Sequence, residues 1–544
     1  MSDTLADGKR RGAMRIVLAI LRWMWVAAWF ILFVASIVFH APWKIAVLSF
    51  ALVLGAAVIP RRPRRYFWAA IGLILLASGV WIFLPNDSQG WRPYAFENEM
   101  EAFLAKHRVP DAENAARIYE EICRTWGEGD PNEPNVPADW YDRVRNGPWR
   151  GEEYSAVAAW LDYHEPTVKR LVEAAGLERC FFEQSIRGWL APLNAEIPPT
   201  ADMRQLAFLL AAAANRDWGQ RGLDVSVQKQ LVVLRLGEHL SSQPEPMFAL
   251  VGAAVETLAM EQFNRAMVQG DLDSDYLDRV HRAVAAIQTN WRSTFEATLE
   301  LERLRTKNLL AAGFYQVSEA GRVRYSRDPF GMSRNPRYAA RPGYWEQRAN
   351  RARVIMQWFA FPPDPARVSE RIDRAYEKQI SLPDLEPDTS DPLGSSASLF
   401  VNADLSRFQW NFEYFMDFMV SMGRESHVGL CRIFRRGETI RRGTLGVVAL
   451  RRYKNDRGSW PSDLKAAEAY GKDLSWTDAW GRPFVYMPTG EGFVLYSTGE
   501  NGVDEKGESR TEYDDESFTS TVLADDVTIW PPRGQNSEPE QEMQ

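Results

Sequence analysis

Trp23-Met24-Trp25-Val26-Ala27-Ala28-Trp29-Phe30-Ile31-Leu32-Phe33-Val34-Ala35-Ser36-Ile37-Val38-Phe39 carries no charge over its whole length. A helix needs roughly 20 apolar residues, with about 17 as the lower limit, to cross the hydrocarbon of a bilayer. Two further apolar stretches follow, Ile45–Ile59 and Phe67–Leu84; the second stretch is short and draws on Trp43 and Lys44 at the interface. Lys9, Arg10, Arg11 and Arg15 precede the first stretch, and Arg61, Arg62, Arg64 and Arg65 separate the second from the third. Cationic clusters of this kind stay cytoplasmic. Arg22 lies close enough to the cytoplasmic end to snorkel beside Trp23 and Trp25. A re-entrant second stretch would put Arg61–Arg65 on the wrong side, and no small-residue cleavage site follows the first run. Residues 1–90 therefore predict three transmembrane helices in contact with the lipid bilayer. The expected location is the inner (cytoplasmic) membrane, multi-pass, with the N-terminus cytoplasmic and the large C-terminal region periplasmic or extracytoplasmic.

Charge follows the same division. Residues 1–65 carry ten Lys/Arg and two Asp/Glu, which leaves a net −16 on the remainder of a chain whose total is −8. An acidic outer region excludes nucleic acid as its natural partner. Three cysteines, Cys123, Cys180 and Cys431, allow at most one internal disulfide. Cys123–Cys180 is open to an oxidising compartment, but the spacing does not demand it. Cys431 reads as a small buried hydrophobe.

Residues 91–380 read as successive helices packed on one another. Periodic apolar residues mark Asn114–Trp126, Tyr154–Ala175, Met203–Asn215, Val225–Ser241, Met247–Gln269 and Asp275–Leu310. Ala311–Gly343 interleaves Gly, Arg and Tyr without a period and reads as an extended connection. Helices over Tyr344–Phe359 and Pro365–Gln379 follow, and residues 381–403 form a linker. A long helix is expected over 404–457, with a stripe of Phe408, Phe412, Phe415, Met419 and Met422, stopped by Gly458.

Residues 458–534 form a small α+β unit, followed by a disordered tail over 535–544. Ala449-Leu450-Arg451-Arg452-Tyr453-Lys454-Asn455-Asp456-Arg457-Gly458-Ser459-Trp460-Pro461 ends a helix and turns. Asp478-Ala479-Trp480-Gly481-Arg482-Pro483-Phe484-Val485-Tyr486 and Gly492-Phe493-Val494-Leu495-Tyr496-Ser497-Thr498-Gly499-Glu500-Asn501-Gly502 come next. Phe484 and Tyr486 share one strand face, and Phe493 and Leu495 share a face of the next. This order resembles the globular end of the major pseudopilins of type II secretion systems, over about Val447–Trp530. Residues 1–30 contain no Gly-Phe-Thr-Leu-x-Glu processing site, so a cleaved, polymerised subunit is not implied. The layout, with Glu113-Asn114-Ala115-Ala116-Arg117-Ile118-Tyr119 in the helical body, is also similar to envelope proteins of planctomycete-type bacteria. That second resemblance implies architecture and no activity.

In major pseudopilins the closing loop holds calcium. The resemblance implies a Ca2+ site at Asp504, Asp525 and Asp526, carried by Asn501-Gly502-Val503-Asp504 and Asp525-Asp526-Val527-Thr528-Ile529-Trp530. Calcium takes six to eight oxygen ligands, so carboxylates on a Gly-permitted turn suit it. The acidic insertion Glu505–Glu516 departs from the family pattern and leaves the ligand set open. A solvated acidic loop without an ion is the alternative.

Catalytic signatures are absent: there is no His-Glu-x-x-His, Gly-x-Ser-x-Gly, phosphate-binding Gly-Lys-Ser/Thr or Cys-x-x-Cys. His164, His239 and His427 read as surface or satisfied core groups. Trp140, Tyr141, Trp149, Tyr154 and Trp160 accompany Asp142, Glu152, Glu153 and Asp162, and rings with carboxylates suit a glycan. The simpler reading seats those rings on the helical core. The expected function is a membrane-anchored, non-enzymatic envelope scaffold that binds other envelope proteins and is linked to secretion-like assembly. The alternative is an extracytoplasmic glycan-binding protein or hydrolase using Trp140–Glu165.

Overall fold

The computed structural model describes residues 90–126, 130–187, 199–287, 291–326, 364–377, 412–490, 492–514 and 519–532. These form a mainly helical body with small sheets. Three helices in succession, Thr200–Arg221, Leu223–Ser241 and Pro246–Gln269, make its centre. Gly222, at φ +92°, joins the first two in a turn that a side chain would strain. The third helix begins with Pro246 in its first turn, and the Glu245 carboxylate accepts from Phe248 N at 2.9 Å. Gly237 and Gly252 let the second and third helices approach closely. A Cβ on Gly237 would stand 2.7 Å from the Glu256 backbone, and one on Gly252 would overlap the Ser241 backbone.

The long helix Phe412–Arg457 spans 46 residues, about 69 Å at 1.5 Å per residue. Its C-terminal half lies across the Pro246–Gln269 and Ser274–Ala286 helices, with Val447, Val448, Ala449 and Leu450 fully buried. On its other side sits an antiparallel sheet in the order Val485–Pro488, Phe493–Ser497, Val527–Trp530. Leu495 pairs with Trp530 and Tyr496 with Thr528, with a register shift between Leu495 and Tyr496. Phe493, Leu495, Val527 and Ile529 join the same apolar cluster as the central helices. Helical body and tail thus share one core. A separate two-stranded ribbon pairs Ser509–Asp514 with Thr519–Asp525. A third sheet pairs Trp91–Pro93 with Tyr315–Ser318 and that strand with Val323–Tyr325, so two of its strands lie in the stretch read as an extended connection.

Two expected helices are each divided. Tyr154–Ala175 breaks at His164 into Ser155–Tyr163 and Glu165–Ala175, with Pro166 opening the second. Asp275–Leu310 divides into Ser274–Ala286 and Trp291–Phe314. The three cysteines are free thiols. Burial pushes the Cys123 thiol up to about 12, which keeps it protonated beside Met203 Sδ at 3.6 Å.

The expectation of three transmembrane helices is corrected here, and with it the membrane and inner-membrane, multi-pass assignment. Among the described residues no helix is long and apolar enough to cross a membrane. The physical reason is charge: even Pro246–Gln269, among the most apolar of the long helices, carries Glu256, Glu261 and Arg265. Trp23–Phe39, Ile45–Ile59 and Phe67–Leu84, which carried the expectation, lie outside the described residues. So do Tyr344–Phe359, the linker 381–403, residues 404–411 and the tail 535–544.

Candidate functional site

The acidic closing loop is built from the tail inward. Asp478, fully buried, accepts from Trp480 N and Arg482 N through Oδ1, both at 2.8 Å. Its Oδ2 accepts from Ser497 Oγ at 2.6 Å. That fixes the Asp-Ala-Trp-Gly-Arg-Pro turn against the end of the Phe493–Ser497 strand. Arg482 then reaches over the loop to donate to the carbonyls of Gly499 and Glu500.

Two carboxylates implied as calcium ligands do different work. Asp525 faces the long helix: Arg436 Nη1 stands 2.8 Å from its Oδ1, and its Oδ2 accepts from Glu500 N at 2.7 Å. Arg432 forms an ion pair with Glu500 one turn away. Asp525 therefore ties the loop to the long helix. Asp504 Oδ1 accepts from Tyr496 Oη at 2.7 Å and Lys506 N at 2.9 Å. The Tyr496 hydroxyl holds the Asp504 carboxyl below the usual range.

Asp526 is the exceptional group. It is fully buried; Oδ2 accepts from Gly507 N at 2.7 Å, and Oδ1 is buried with no hydrogen-bond partner. Burial first, then the neighbouring Glu505 and Asp504 carboxylates, raise it to about 7. Glu505 is itself positioned by Asn501 Nδ2 at 2.7 Å and by Asp525 N at 3.2 Å. A buried carboxyl facing the partly exposed Glu505 calls for a positive charge between them, either a proton or a cation. Among the described residues no group of three or more His, Cys, Asp or Glu side chains is arranged to hold a metal ion. An ion at Asp526 would need backbone or solvent oxygens to complete its shell. Glu505 lies in the insertion that departs from the family pattern, and its acidic run was its only signal in the sequence.

The Trp140–Glu165 aromatics divide between core and cleft. Trp149 is buried and donates through Nε1 to Ala212 O at 3.2 Å; Trp160 is buried and donates to Glu133 Oε1 at 2.8 Å. Tyr154 packs edge-on to Trp149. Asp162 pairs with Arg216 at 2.7 Å, and Glu153 accepts from Arg150 N at 3.0 Å. Trp140, Tyr141 and Asp142 line a cleft of about 720 Å³ with Phe208, Gln262 and Arg265. Those last three residues come from remote helices, and local pattern gave no signal for them.

The histidines are placed as structural groups. His164 Nε2 lies 2.9 Å from Glu133 Oε1. His239 bridges Tyr119 Oη and Leu177 O, each at 3.0 Å, and burial lowers it to about 4. His427 is buried beside the Tyr376 ring. No family model, no curated protein and no solved structure matches the chain.

Proposed function

We propose that the chain is a non-enzymatic interaction protein. Its helical body holds the pseudopilin-like tail in a fixed orientation, and the tail engages other proteins in an assembly of the secretion kind. The observation that carries this reading is the Ser509–Asp514/Thr519–Asp525 ribbon. A two-stranded ribbon is marginal in water by itself, yet this one turns Val522 and Leu523 outward at 40 % and 47 % exposure. Its base is clamped through Asp525 to Arg436 and through Thr528 Oγ1 to Gly507 O at 2.8 Å. Apolar side chains displayed on a rigid mount are the kind of surface a partner covers.

Calcium enters the same reading. Asp526 and Glu505 would hold the ion, with backbone and solvent oxygens completing its shell, while Asp525 keeps the loop on the long helix. The ion would supply at Asp526 the positive charge that a proton supplies without it, and would stiffen the base of the ribbon.

The test is a Val522→Asp, Leu523→Asp double variant of the full chain, compared with the parent by quantitative cross-linking and capture from its own cells. The variant should melt with the parent and lose specific cross-links that the parent makes through the ribbon. An identical set of cross-linked partners would overturn the reading.

A further inference from the structure

The cleft beside Trp140 has the chemistry of a polar ligand site. Its volume of about 720 Å³ falls within the roughly 300–1,000 Å³ of small-molecule pockets. At its floor, Arg265 is 5 % exposed and donates through Nη1 to Asn146 O at 3.2 Å, and the Glu261 carboxylate four residues earlier offsets part of its charge. Gln262, 3 % exposed, spends its amide nitrogen on Ala211 O at 3.2 Å, while its Oε1 is buried without a partner. The Tyr141 hydroxyl is likewise buried without a partner. The amide oxygen and the hydroxyl left in this state each forgo a hydrogen bond that a hydroxylated ligand would restore. One wall is the Tyr141 ring stacked on Phe208, with centroids 4.1 Å apart and planes 20° off parallel.

Charge narrows the class. At the rim Arg143 pairs with Asp139 at 3.0 Å and Arg145 with Asp142 at 3.2 Å, so those carboxylates are already neutralised. With Arg143 counted beside the lining, three carboxylates, Asp139, Asp142 and Glu261, meet three guanidinium groups, and the cleft has no net charge with which to hold phosphates or other polyanions. Planar amide, carboxylate and guanidinium groups beside an aromatic wall suit vicinal hydroxyls on a ring with an apolar face. We propose that this cleft binds a short neutral oligosaccharide. The inference does not rest on the ribbon.

Calorimetric titration of the full chain with cellotetraose, maltotetraose and chitotetraose tests it, with inorganic phosphate and glycine as charged contrasts. At least one sugar should saturate, and neither charged solute should displace it. Tyr141→Phe should weaken that sugar roughly tenfold while melting no lower than the parent, since its hydroxyl makes no bond in the free protein. Phe208→Leu, which removes the stacked wall, should weaken it as well. Saturation by none of the three sugars, binding unchanged in both variants, or displacement by phosphate or glycine would each overturn the proposal.

Discussion

Asn264 Nδ2 donates to Thr444 Oγ1 at 3.2 Å, and both residues are buried where the third central helix crosses the long helix. The same nitrogen lies 3.4 Å from Ile529 O in the last strand. One amide therefore joins the helical body, the long helix and the tail sheet. Gly443 makes room for this junction, since a Cβ there would press on the Ile529 side chain.

Asn264→Ala should destabilise the chain by about 1–3 kcal/mol, because Ile529 O and Thr444 Oγ1 lose a buried partner. Body and tail share a core, so protease should reach both at the same lowered denaturant concentration. Tail cleavage at concentrations that spare the helical body would show two units that merely touch.

Asp526 sets a pH dependence with a definite sign. Its folded value of about 7 lies above the unfolded value of about 3.9, so the folded state holds the proton more tightly. Stability from that proton is fully present below about pH 4 and is lost as pH rises towards and through 7. Asp526→Asn should be more stable relative to the parent at pH 8 than at pH 5. A constant difference across that window, measured by urea denaturation, would remove Asp526 from the titration.

Calcium should stabilise the parent more at pH 8 than at pH 5, because at the lower pH it must displace the Asp526 proton. An ion held only by the folded state, at a hundred times its dissociation constant, adds about 2.7 kcal/mol. Asp526→Ala should abolish the shift in melting temperature between calcium and chelator. Asp525→Ala should lower the baseline through loss of Arg436 and keep the shift. The reverse pattern would make Asp525 the ligand.

Glycines in the two sets of helices should respond in opposite ways. Gly252→Ala places a methyl group against the Ser241 backbone and should cost about 1–3 kcal/mol or more. Gly429→Ala, in the long helix with open space around its Cα, should be neutral or stabilising by up to about 1 kcal/mol. Chemical denaturation of both variants checks the contrast.

Helical periodicity made the body legible, because an apolar stripe along Met247–Gln269 or Val225–Ser241 has few other ways to be buried. The break at His164 was less visible: apolar spacing runs through it, and only Pro166 marks a new first turn. Apolar length and the cationic clusters beside it suggested membrane spans, and the described helices do not supply one. Within the acidic loop, the Asp residues stood out as a group. Their division of labour did not, since Asp525 is decided by Arg436, 89 residues earlier in the chain. The cleft was half visible through Trp140–Asp142; Phe208, Gln262 and Arg265 reach it only through helix packing. Long-range partners of this kind leave no local period to read.

The position of the Phe412–Arg457 helix also governs how the protein emerges from the ribosome. Asn264 is made 180 residues before Thr444 and 265 before Ile529. At roughly 5–20 residues per second, the Pro246–Gln269 face waits roughly 9–36 s for the long helix to cover it. Until then Asn264 and the Met267 carbonyl, which Thr444 and Arg451 of the long helix later meet, belong to an unfinished surface, open to chaperones and to neighbouring nascent chains. A stop codon shortly before the long helix would leave a product whose fate is capture or clearance, although every helix of its central trio had already been translated.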